Sequence, residues 1–188
     1  GYTLKLLGIE PLILTAAGND FEPYKSYLEK QNIFTKYIKE FSDVPTGSYH
    51  VITDQEDNQI GAFYKGPMIY HDKLSIADVE ESIDLVVIGP HDPKAMVKHV
   101  QECQKVQLPY LYDPAFQIDL FSKEELHEAI SDAQIVIGND YEIALIEKKL
   151  GITHADLLTL SPIVITTLGS KGSLIESQMR GKIEIKPA

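Results

Sequence analysis

From residue 84 onward, short apolar runs alternate with longer stretches whose apolar positions recur at helical spacing. The run DLVVIG (84–89) precedes PKAMVKHVQECQKVQ (93–107), in which Met96, Val97, Val100, Cys103 and Gln104 are spaced for one buried stripe. LPYLYD (108–113) precedes SKEELHEAI (122–130), and AQIVIG (133–138) precedes YEIALIEKKLG (141–151), closed by Gly151. A helix-like THADLLTL (153–160) then leads to IVITTL (163–168). Continuous apolar strands of this length, joined through helices, predict an α/β fold whose parallel sheet is covered on both faces. The first third has another texture. Residues 1–8 read as the last turns of a helix closed by Gly8, and a buried strand is expected at 12–16. EPYKSYLEKQN (22–32) is amphipathic, with Tyr24, Tyr27 and Leu28 spaced for one face. Between 33 and 70 no helical period is present; SYHVIT (48–53) and QIGAFY (59–64), split by the polar DQEDN, carry the signature of a β-hairpin.

A length of 188 residues suits one ordinary domain with a small insertion. The texture change places that insertion, a small β-sheet, at 33–70, leaving 1–32 and 71–188 as the α/β core. Seventeen basic residues against 28 acidic ones give a net charge of −11, which argues against a nucleic-acid or anionic-membrane partner. The single cysteine, Cys103, excludes an internal disulfide and points to a reducing, cytoplasmic setting. No run approaches the ~18 apolar residues of a membrane span, and no signal peptide opens the chain. The first residue is Gly1 rather than methionine, and the chain stops at KIEIKPA without a terminal helix, so both ends read as cut.

In such a sheet, ligands sit at the carboxyl ends of the strands, here the loops at 17–20, 89–92, 113–116, 138–142 and 169–172. Asn139 directly follows a strand, with Glu142 three residues on; this is a capping box, and it is equally a place where a carboxylate can organise Mg²⁺ beside a phosphate. TTLGSKGSLI resembles a dinucleotide fingerprint only loosely. That motif must open a helix, whereas SLIES after Gly172 reads as a strand, so a tight turn between antiparallel strands is the simpler reading. Asp113 before Pro114 opens a turn or binds a hydroxylated substrate, and the two readings weigh equally. Asp92 before Pro93 reads as an N-cap beside His91. None of the six histidines has a partner at zinc-ligand spacing, and no G-x-S-x-G elbow supports a hydrolase.

Taken in order, several stretches together resemble the ribokinase-like, phosphofructokinase-B type, sugar and nucleoside kinases. LKLLGIEPLILTAAGND is similar to that family's first helix end and the strand leading to G-x-D; VPTGSYHVI resembles its β lid; YDPAF, NDYEIALI and ITTLGSKGSLI resemble its D-P, N-x-x-E and T-x-G-x-x-G segments. The resemblance covers nearly all 188 residues but only the middle of the family's chain. It implies a three-layer, Rossmann-like ribokinase-type sheet with a small β lid, and dimerisation through that lid. It also implies ATP and Mg²⁺ as cofactors, and a sugar or nucleoside as substrate. Residue by residue, it assigns Asn139, Glu142, Thr167, Gly169, Lys171 and Gly172 to ATP, with Glu142 toward the metal. Asp113, His91 and Asp20 are assigned to the substrate. Pro23 stands where the family's G-x-D-x-x-G usually has its last glycine. The family's general base lies in a G-A-G-D segment, and none occurs in these 188 residues, so the expectation is a kinase-type chain with little turnover of its own. Two rivals are a non-catalytic nucleotide- or sugar-binding module on the same fold and, less favoured, a nicotinamide-dependent oxidoreductase.

Overall fold

The computed structural model describes residues 1–56 and 58–187, so Asp57 of the expected hairpin turn and the terminal Ala188 lie outside the described residues. The chain divides into two compact units, Gly1–Val79 and Glu80–Ala188.

The first unit begins with α1 (Tyr2–Leu6), followed by β1 (Thr15–Ala17), α2 (Glu22–Lys30) and β2 (Ile38–Glu40). β1 and β2 pair in parallel from Thr15↔Ile38 to Ala17↔Glu40. The strand expected at 12–16 is thus shifted: its partner is three residues long, and Leu12 makes only an isolated bridge to Phe34. Ala17, Phe21, Leu28, Ile33 and Ile38 form the unit's small core. Of the three residues spaced along one face of α2, only Leu28 is buried. Tyr24 and Tyr27 are exposed and stack on each other, with ring centroids 5.9 Å apart. The hairpin is formed as read, by β3 (Ser48–Thr53) and β4 (Gln59–Tyr64), antiparallel with Ile52 opposite Ile60. Both faces of this ribbon carry apolar side chains, and all its residues except Ser48 are exposed. Two 3₁₀ segments, Gly66–Lys73 and Ile76–Asp78, close the unit.

The second unit holds a six-stranded sheet of β5 (Val86–Ile88), β6 (Tyr110–Tyr112), β7 (Ile135–Asn139), β8 (Ile163–Thr167), β9 (Ser173–Ser177) and β10 (Gly181–Ile185), ordered β10-β9-β8-β7-β6-β5. β5 to β8 are mutually parallel, and β9 and β10 add antiparallel. The connecting helices are α3 (Pro93–Val106), α4 (Lys123–Ser131), α5 (Asp140–Leu150) and α6 (His154–Leu160). Alternation along the strands sorts the side chains. Ile88, Tyr110, Tyr112, Val136 and Val164 are almost wholly buried, while Val87, on the opposite face, is 60% exposed. On α3 the buried stripe is Met96, Val100 and Cys103, joined by Ala95. Val97 and Gln104, read as members of the stripe, are only half-buried. Gln104 sits at the border because its amide donates to Glu128 O at 3.3 Å and Asp132 Oδ2 at 3.0 Å. Burial pushes the Cys103 thiol up to about 12, as suits a packing residue rather than a nucleophile.

Candidate active site

Because β5 to β8 run parallel, the loops at 89–92, 113–116, 138–142 and 168–172 leave the sheet at one edge. The register aligns Ile88 with Tyr112 and Asn139 with Thr167, and Asp113 N–H donates to Ile88 O at 3.0 Å. A cavity of about 590 Å³ lined by residues including Cys103, Tyr110, Asp132 and Pro162 opens at the opposite edge, where the strands begin. The carboxyl edge is the candidate site, because in open parallel sheets ligands bind at the carboxyl ends of the strands and four of the loops singled out in the sequence leave the sheet there.

At β7 the capping box is fully formed. Glu142 N–H donates to Asn139 Oδ1 at 2.8 Å, and Asn139 N–H donates to Glu142 Oε2 at 2.8 Å. Each side chain keeps a group in reserve, since Asn139 Nδ2 and Glu142 Oε1 make no hydrogen bond among the described residues. The cap thus fixes two side chains at the strand end while leaving one donor and one acceptor atom uncommitted.

Asp113 is half-buried at the end of β6. Burial raises its pKa, and the neighbouring Glu142 carboxylate raises it further. Both influences disfavour the charged form of Asp113. Two residues on, Ala115 stands in the left-handed region at φ 41°, a strained backbone beside the same group.

At the end of β8 the chain makes a single 3₁₀ turn, Gly169–Lys171, and returns antiparallel as β9, with Thr167 opposite Ser173. The dinucleotide reading required a helix after Gly172, and that helix is replaced by this strand. The amides of Leu168, Lys171 and Gly172 are bonded within the turn, whereas those of Gly169 and Ser170 have no partner among the described residues. Gly172 is at φ 92°, and a Cβ there would lie 1.9 Å from Ile185 O, so only glycine fits the approach of β10. Lys171 is exposed on the turn.

Asp92 caps α3, accepting from Lys94 N–H at 3.1 Å and Ala95 N–H at 3.3 Å. Beside it, both ring nitrogens of His91 are engaged, Nδ1 with Gly89 O at 2.6 Å and Nε2 with His99 Nδ1 at 3.1 Å. Burial lowers the His91 pKa against the opposing influence of Gly89 and Asp92. The neutral ring therefore donates to Gly89 O and accepts from His99. Gln117 Nε2 secures the loop by donating to His91 O at 2.9 Å. His99 and Gln117 escaped sequence reasoning; His99 lies on α3 beside the buried stripe, two turns beyond His91, which is the only signal it offered. Asp20 belongs to the first unit, at the carboxyl end of β1, and accepts from Thr46 N–H at 2.8 Å. Among the described residues no group of three or more His, Cys, Asp or Glu side chains forms a metal cage, and no helix is long and apolar enough to cross a membrane.

A largely parallel sheet with helical crossovers and an antiparallel extension at one side defines an α/β protein, with acidic, amide and hydroxyl groups on the loops at its carboxyl edge. More closely, the chain belongs to the pfkB family of carbohydrate kinases, which it matches across residues 2–188. It is 30% identical over 185 residues to the nucleoside kinase of Methanothermobacter thermautotrophicus, covering 96% of this chain and 60% of that one. Among solved structures, it is similar to the Burkholderia thailandensis nucleoside kinase in complex with inosine, at a TM-score of 0.93 and 26% identity over 100% of this chain and 62% of that one. The same enzyme in complex with ADP-inosine gives a TM-score of 0.91 at 26% identity, over 100% of this chain and 58% of that one. The Methanocaldococcus jannaschii nucleoside kinase, an archaeal member of the ribokinase family, gives 0.89 at 27% identity over 98% and 61%. The chain spans about 60% of the length of the curated relatives it matches. The family and fold expected from the ordered motifs are those found.

Proposed function

We propose that this protein is an ATP-dependent kinase transferring the γ-phosphoryl group to a hydroxyl of a nucleoside. The observation that carries the reading is the meeting of Asp113, the Asn139–Glu142 cap and the Thr167 turn at one strand edge of a pfkB-family chain. A nucleoside rather than a free sugar is favoured because the similar proteins are nucleoside kinases, one of them in complex with inosine and with ADP-inosine.

In this reading Asn139 Nδ2, the Thr167 hydroxyl and the Gly169 and Ser170 amides donate to ATP. Lys171 adds a cation, and Gly172 admits the close turn. Asp113 and Asp20 receive substrate hydroxyls, and His91 orients the 89–92 loop through its ring and carbonyl. Mg²⁺ carried on phosphates would need only one or two carboxylates from the protein. Glu142, with one oxygen uncommitted, is the residue to hold it; when bound, the ion offsets phosphate charge. The nucleoside oxygen forms the new bond to phosphorus as the bond to ADP breaks, and a base takes the hydroxyl proton. No G-A-G-D segment occurs in the sequence, and none of its residues is assigned as that base. A non-catalytic nucleotide- or sugar-binding module on the same fold is the second reading. A homodimer through the exposed hairpin completes the proposal.

Incubating the full-length protein with Mg-ATP and a panel of inosine, adenosine, guanosine, cytidine, ribose and fructose tests it. Phosphorylated nucleoside is expected. An absence of ATP-dependent product with every acceptor overturns it, and stabilisation by NAD alone in a thermal-shift titration would favour an oxidoreductase.

A further inference from the structure

Within the first unit, the loop after β1 and the root of the hairpin are stitched together over a few residues. Phe41 N–H donates to Ala17 O at 2.9 Å, Asn19 N–H to Val44 O at 2.9 Å and Asn19 Nδ2 to Ser42 O at 3.2 Å. Thr46 makes the exchange two-way: its Oγ1 accepts from Gly18 N–H at 2.9 Å, while its own N–H donates to Asp20 Oδ1 at 2.8 Å. The approach is so close that a Cβ on Gly18 would lie 2.2 Å from both Pro45 C and Thr46 N. Both legs of the hairpin end here. β3 starts two residues after Thr46, and a Cβ on Gly66, two residues after β4, would lie 2.6 Å from both Gly47 N and Pro45 O.

We infer that Thr46 is a positioning residue that latches the hairpin root to the Gly18–Asp20 loop, so that the hairpin's stance and the Asp20 carboxylate are set together. This rests on the assignment of Asp20 to substrate. Two features make Thr46 more than packing. It is the one side chain in the knot that engages both ends of the loop. In addition, its hydroxyl and amide hold the Asp20 carboxyl below the usual carboxylate range, keeping it an anionic acceptor. A hairpin displaced at Gly47 pulls the Thr46 amide from Asp20 and its hydroxyl from Gly18 at once.

The test compares Thr46→Val, which keeps the shape and removes the hydroxyl, with Thr46→Ser, which restores it, in the full-length protein. The expected result for Thr46→Val is a rise of about tenfold in KM for inosine, with KM for ATP within about twofold and the melting temperature nearly unchanged. The Gly18 amide should exchange with solvent about tenfold faster, and the protection of the hairpin amides by inosine that is expected of the wild type should be lost. Thr46→Ser should return all three readouts toward wild type. An unchanged inosine KM in Thr46→Val, or a Thr46→Ser variant as impaired as Thr46→Val, overturns the inference. If the wild type phosphorylates no nucleoside, the kinase reading falls by itself. The latch is then decided by exchange alone, and equal Gly18 exchange in wild type and Thr46→Val overturns it.

Discussion

Asp113 holds a half-buried carboxyl beside Glu142, with its pKa raised first by burial and then by that neighbour. A carboxyl whose folded pKa lies above its unfolded value costs stability once the pH exceeds both, so the charge is a burden near neutrality. Asp113→Asn keeps an acceptor for the Ala115 amide and removes the charge. It should raise the melting temperature by about 2 °C at pH 7.5 while weakening nucleoside binding. A melting temperature that falls instead would assign Asp113 to the turn alone. At this scale, what could be read from the chain was what depends on near neighbours. Asn139 with Glu142 and Asp92 with Pro93 act over three residues or fewer, and both caps stand as read. The His91–His99 contact and the Gln117 anchor were invisible because they join groups 8 and 26 residues apart through the fold.

Elements show the same division between local and distant causes. The hairpin and the four parallel strands could be read because alternation and apolar runs are carried by each segment itself. The true start of β1 could not, because it is set by the short partner strand β2. Nor could the clamp between α6 and its neighbours. His154 Nδ1 meets Glu147 Oε1 at 2.7 Å on α5, and Nε2 meets Glu176 Oε2 at 2.9 Å on β9. Burial pulls the His154 pKa down, but the bonds to Glu147 and Glu176 outweigh it and the net shift is upward. A histidine with a raised folded pKa contributes stability that is fully present below its unfolded value of about 6.5 and is lost as pH rises through the folded value. Thermal melts should therefore show wild type exceeding His154→Gln by about 2 °C at pH 6, with the gap closing above pH 8. A gap that is constant from pH 6 to 9 would reduce the contact to neutral packing.

For the whole molecule, a net charge of −11 means that under the proposed function the phosphates would have to be met locally, by amides, hydroxyls, Lys171 and a metal ion, rather than by a basic surface. The remaining surface question concerns the hairpin. Ile52 and Ile60, paired across β3 and β4, are 77% and 78% exposed, and isolated two-stranded ribbons gain from a covering partner. If the hairpin is the dimer contact, the double variant Ile52→Lys, Ile60→Lys should sediment as a monomer under conditions where wild type is a dimer. Equal sedimentation of the two proteins would reject the hairpin as the contact. Elsewhere the molecule is organised by independence. Asp92, Ser122, Asn139 and Thr153 each close their own helix start through their own side chains, Ser122 and Thr153 with a partner three residues on as Asn139 has. A segment that carries its own fastening can be exchanged without refitting its neighbours. The capped helix starts are in that sense interchangeable parts, each able to change while the sheet beneath keeps its register.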